Sequence, residues 1–182
     1  MASHLIDLWL AAGRINTGMH LTRINEENCY KALEAAQRRF QRSAAPERLK
    51  RIAKKVNPIV FLCGRKPSWL AAAYGVSVRA KVPERQKLDL RESNTPYTVI
   101  GKRGYYLLIQ VYPKSFSKLE MTSWRYLKRV IAHELGHLIH DCTERQDGYI
   151  TSADPETDHC EEWQRISRWC GGNDEPTIAY CK

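Results

Sequence analysis

A chain of 182 residues with 43% hydrophobic composition is long enough to bury a core and too apolar for a disordered segment. Its formal net charge of +9 favours acidic partners, nucleic acid among them. No apolar run approaches the roughly 20 residues a bilayer demands, so a membrane-spanning role is excluded and a cytoplasmic protein is expected.

The opening stretch, Met1–Gly13, has no basic leader and is interrupted by Asp7. It reads as an amphipathic helix ended by Gly13 rather than as a signal. A helix is expected from about Glu26 to Gln41, where Tyr30, Leu33, Ala36, Gln37 and Phe40 fall at helical spacing behind Asn25 as N-cap. Another is expected from Pro46 to Val56, with Pro46 in the first helical position and Asn57-Pro58 as the stop. Arg38, Arg39, Arg42, Arg48, Lys50, Arg51, Lys54 and Lys55 crowd into this stretch. Residues 1–56 therefore form a basic helical region, either a phosphate-binding face or a solvated helical surface.

Residues 59–112 carry the strand signals. Ile59–Cys63 is a short apolar run. Leu70–Ser77 resembles the start of a helix-turn-helix, but Val76–Val82 is β-prone and Pro83 follows, so a helix-to-strand turn is expected there. Tyr105–Val111 is the clearest strand, and its edge offers a line along which an extended peptide can lie. Six cysteines (Cys29, Cys63, Cys142, Cys160, Cys170 and Cys181) include no C-x-x-C pair, and free thiols are expected.

The chemistry concentrates near the end of the chain. Four of the six histidines lie between positions 133 and 159. His133-Glu134-Leu135-Gly136-His137 is an H-E-x-x-H motif. On a helix its two histidines sit about 40° apart and can reach one metal ion, while Glu134 can act on water beside it. A helix over Trp124–His140 would set Trp124, Leu127, Ile131, Leu135 and Leu138 on a core stripe and His133, His137 and His140 on another. Gly136 leaves room for a neighbouring element. A second helix is expected from the capping residues of 154–158 to about Cys170, ended by Gly171-Gly172. On its wheel His159 is central to the face of Trp163, Ile166 and Cys170, Glu162 lies on the edge and Glu161 points away. The third metal ligand is His159 or Glu162. Asp141 is a candidate acceptor orienting His137, and His140 and Tyr149 are candidate oxyanion donors.

His133–His137 followed by His159-Cys-Glu-Glu-Trp163 resembles the SprT-like metallopeptidases, which pair H-E-x-x-H with a later histidine and an aromatic four residues on. Cys160 stands where that family usually has glycine. The resemblance implies an α+β zincin-like fold with a small antiparallel or mixed sheet, an active-site helix and a second ligand-bearing helix. It also implies zinc held by His133, His137 and His159, with Glu134 catalytic, and proteolysis of DNA-bound proteins. A second resemblance is to the ImmA/IrrE-like peptidases, on His133–His137 with Leu138-Ile-His140. It implies Glu162 as third ligand and a transcriptional repressor as substrate.

The resulting expectation is a basic helical region at 1–56 and a zinc metallopeptidase domain at 57–182, either as separate modules or as one compact domain. Its partners would be a protein substrate and DNA bound by the basic helices. One rival is a nucleic-acid-binding regulator whose zinc is structural, closed by a fourth ligand from His140, Cys142 or Cys160. Another is a metal-dependent hydrolase of a different bond type.

Overall fold

Asn25 begins the first described helix as its side chain predicts: its carboxamide oxygen accepts the Asn28 amide at 2.8 Å. In the computed structural model, residues 23–64, 70–77, 98–100, 103–119, 121–144 and 159–172 are described. The expected helix over 1–13, the strand residues after Ser77, Tyr149, the capping stretch 154–158 and Cys181 lie outside them. Helix α1 spans Glu26–Arg42 and α2 Glu47–Ala53. Pro46 is the N-cap of α2 rather than its first helical residue, and α2 stops short of Val56, which is already buried in the core.

Four described strands come next: β1 (Ile59–Leu62), β2 (Ala71–Ser77), β3 (Thr98–Ile100) and β4 (Arg103–Val111). The sheet order is β1-β4-β2, with β3 also on β4. β1 runs parallel to β4, pairing Ile59 with Leu108, and β2 runs antiparallel, pairing Ala71 with Val111 and Ser77 with Tyr105. Two expectations are corrected here. Leu70–Ser77 is not a helix-to-strand turn: Ala71–Ser77 is strand throughout, because pairing with β4 overrides the helical preference of its three alanines. And β4 does not offer an edge, since β1 and β2 occupy its two sides. Among the described residues β1 and β2 are the edge strands.

The residues of β4 explain why it lies in the middle. Tyr105, Leu107, Ile109 and Val111 face the main core, while Tyr106 and Leu108 are buried on the opposite face with Ile59, Phe61 and Tyr74 packed around them. A strand apolar on both faces is stable only when covered on both.

Helices α3 (Pro113–Lys118), α4 (Trp124–Glu144) and α5 (Glu161–Cys170) complete the described chain. α4 is the hub, packing on α1, α2, α5, β2 and β4. Leu127, Ile131, Leu135 and Leu138 of its expected core stripe are completely buried, and Trp124 packs at the margin. α1 and α2 contribute Leu33, Phe40, Leu49 and Ala53 to the same core. Helix α1 is also stitched to the segment that leads into the sheet: Gln37 Nε2 donates to the Val56 carbonyl at 3.1 Å, and the Val60 amide donates to the Tyr30 hydroxyl at 3.1 Å. Together these make a mixed α+β architecture. No described helix is long and apolar enough to cross a membrane. The five described cysteines are free thiols.

Candidate metal centre

α4 passes through the core, so its middle turns are buried nearly all round, and His133 is 5% and Glu134 7% exposed. Burying two such side chains is costly unless each has a partner. The helix spacing supplies one for His133: its Nε2 lies 3.2 Å from Nε2 of His137, one turn on.

His159 completes the group. The coordinating atoms of His133, His137 and His159 all lie within 4.8 Å of one another. His159 does not reach the group from within a helix, contrary to the expectation from its wheel position. α5 begins only at Glu161, with Cys160 as N-cap, and His159 sits in the turn before it. The wheel holds for the residues that are helical, since Trp163, Ile166 and Cys170 are buried. Glu161 and Glu162 are both exposed, and Glu162 is not part of the three-histidine group.

The donor set fits a metal ion. Two imidazoles on a tetrahedral zinc, with Zn–N bonds of about 2.0–2.1 Å, place their nitrogens roughly 3.3–3.4 Å apart. The 3.2 Å between His133 and His137 is close to that spacing. Three neutral nitrogen donors suit zinc and other borderline transition metals, and do not suit magnesium or calcium. Among the described residues the group has three donors. His140, Cys142 and Cys160 are not among them.

Trp163 is the packing centre of the site and is completely buried. Its ring stacks on His137 at 4.7 Å between centroids and meets His159 and His133 edge-on at 4.4 and 4.8 Å. Each imidazole therefore rests against one indole, which restricts its rotation.

The approach of α5 to α4 depends on two glycines. A Cβ on Gly136 would lie 3.2 Å from the Ser167 Cα. A Cβ on Gly172 would lie 2.8 Å from the backbone nitrogen of His133 and 3.0 Å from its Cα. The room expected at Gly136 is thus filled by Ser167. Gly172 does more than follow the helix end, because it lets the chain return against the backbone of His133. Gly171 performs the turn itself, with φ of 88°.

Of the remaining candidates, Asp141 is half-buried, and His140 is 4% exposed with Nε2 lying 3.3 Å from Cys160 Sγ. No sequence signal points to that pairing, since the two residues are 20 positions apart and on different elements. The basic side chains of α1 and α2 are at the surface: Arg38, Arg39, Arg42, Arg48, Arg51, Lys54 and Lys55 are exposed. Arg38 pairs with Glu34 and Lys50 with Glu47. No family model, curated protein or solved structure matches the chain.

Proposed function

We propose that the chain is a zinc-dependent endopeptidase of zincin type, with His133, His137 and His159 as metal ligands and Glu134 as catalytic base. One observation carries this reading. Three histidine donors converge beside a buried glutamate of the H-E-x-x-H pair, and no fourth described protein donor joins them. A structural zinc site is normally closed by four protein ligands, whereas a catalytic one keeps a position for water and substrate. The exposure of Glu162 favours the histidine-ligated, SprT-like arrangement over the glutamate-ligated one.

Zinc bound in such a site lowers the pKa of water and polarises a carbonyl oxygen. The residues of the chain supply the rest. His133 and His137 on one helix, and His159 resting against Trp163, would hold the metal ion. Glu134 takes a proton from the attacking water on its carboxylate and returns it to the leaving amine nitrogen, a role worth roughly 10²–10⁴ in rate. The outer edge of β2, one of the two described edge strands and packed against α4, is where an extended peptide would lie. The exposed arginines and lysines of α1 and α2 suit a DNA-bound protein substrate.

The test is Glu134→Gln in the full chain. Zinc content should stay at the wild-type level, while cleavage of fluorescein-labelled casein, measured with and without duplex DNA, should fall by at least about 100-fold. Unchanged cleavage by the variant would remove Glu134 from the reaction. Zinc binding without cleavage by either protein would favour the regulator with a structural zinc.

A further inference from the structure

His133 and His137 are held in register by the helix that carries them, but His159 arrives from a separate segment. Its placement depends on how the turn before α5 is fastened to α4. Within α5 the fastening is clear: Gln164 Nε2 donates to the His159 carbonyl at 3.1 Å, and the Gln164 amide donates to the Cys160 carbonyl at 2.9 Å. These bonds tie His159 to its own helix only. Toward the other end of α5 the close approaches of Gly136 and Gly172 fix Ser167 against α4. They lie about two turns away from His159.

Near His159, Trp163 already packs α5 against His133 and His137 of α4, and Cys160 adds a polar link at the turn itself. It occupies the N-cap of α5 with extended backbone, φ −62° and ψ 170°, yet its side chain makes no capping hydrogen bond. Serine, threonine, aspartate or asparagine is the usual residue there, because their oxygens satisfy the free amides of the first turn. The Cys160 side chain is instead turned to α4, where Sγ lies 3.3 Å from Nε2 of His140. In one tautomer the thiol donates to the ring nitrogen, and in the other the ring N–H donates to sulfur. His140 is two turns beyond His133 and one beyond His137, on the same face of α4, and it is buried. One helix face therefore presents two ligands and an anchor for the segment that brings the third.

We propose that His140 and Cys160 act together as positioning residues, docking the turn that carries His159 onto the active-site helix. This rests on the three-histidine metal site above. Neither residue needs to touch the metal. Groups that orient metal ligands typically change affinity by about 10–100-fold when removed, and a ligand displaced by an ångström is a weak one.

The experiment measures zinc affinity of the full chain by chelator competition, together with the melting temperature of the metal-free protein and the visible spectrum of the cobalt-loaded form. Cys160→Ala should weaken zinc binding by about 10–100-fold and alter the cobalt spectrum, while moving the metal-free melting temperature little. Cys160→Ser, which keeps a donor at the same place, should restore most of the affinity. Adding His140→Asn to Cys160→Ala should weaken it little further, because the link is already cut. Equal zinc affinity in wild type and Cys160→Ala would overturn the proposal, and so would Cys160→Ser behaving like Cys160→Ala. A sulfur-to-cobalt charge-transfer band in the wild type would also overturn it, by making Cys160 a ligand. If the wild type binds no zinc, the metal site fails and the proposal with it. If it binds zinc through His159 and ignores Cys160→Ala, the positioning role alone is wrong.

Discussion

Gly172→Ala tests whether the close docking of α5 on α4 shapes the site. The added Cβ would sit 2.8 Å from the His133 nitrogen and 3.0 Å from its Cα, against 3.4–4 Å for ordinary van der Waals spacing. It would also lie 2.5 Å from the Ser167 hydroxyl, which can move, whereas the His133 backbone is locked in a buried helix. The end of α5 must therefore retreat by roughly half an ångström or more, and overpacking of this kind costs about 1–3 kcal/mol. For a chain of this size that corresponds to a melting temperature lower by about 2–12 °C. Gly136→Ala is the internal control. Its Cβ meets Ser167 at 3.2–3.4 Å, which asks the neighbour to give by only a few tenths of an ångström, and the helix gains about 0.8–1 kcal/mol from alanine, so its net cost should be the smaller of the two. Thermal unfolding of both metal-free variants by circular dichroism measures the pair. A Gly172→Ala variant as stable as wild type, or less damaging than Gly136→Ala, would refute the packing argument.

Four other outcomes are expected. Trp163→Ala removes a completely buried indole from among three imidazoles, and should cost about 3–5 kcal/mol in a denaturant titration; a cost below about 1 kcal/mol would contradict its place at the packing centre. Burial pushes the Cys29 and Cys142 thiols up to about 12, so the folded chain keeps protons that the unfolded chain releases above its ordinary thiol value of about 8.5. Their contribution is complete below that pH and disappears as pH rises toward 12, so the denaturation midpoint should fall between about pH 8 and pH 10.5. In the folded protein at about pH 8.5, iodoacetamide should label half-buried Cys63 and Cys160 well before Cys29 and Cys142, and early labelling of Cys29 would contradict this. Replacing Arg48, Arg51, Lys54 and Lys55 with glutamine should weaken binding to a random DNA duplex and reduce the salt slope by roughly 0.9 for each phosphate no longer neutralised; a wild-type salt response that is already flat would remove the phosphate-binding face.

What the sequence made legible was local. α1 announced itself through its period and Asn25, and α4 through an apolar stripe that the structure buries. Non-local features escaped. Ala71–Ala73 carry a helical preference, and only their pairing with β4 makes them strand. The edge expected at β4 overlooked its unbroken Tyr-Tyr-Leu-Leu-Ile run, since an exposed edge would alternate with polar residues. At the site, His159 stands out on a helical wheel although it lies before the helix. Its placement on the buried side comes from neighbouring Trp163, which the wheel locates correctly. Gly172 and the His140–Cys160 contact belong to the crossing of α4 and α5, and a crossing leaves no periodic trace in either helix.

The central claim is a zinc ion on His133, His137 and His159, and it is tested most directly by bound zinc per chain. Wild type and Glu162→Ala should each carry one zinc, while His133→Ala, His137→Ala and His159→Ala should lose it with their fold retained. A wild type without zinc after reconstitution, or one that loses it with Glu162→Ala and keeps it with His159→Ala, would contradict the account.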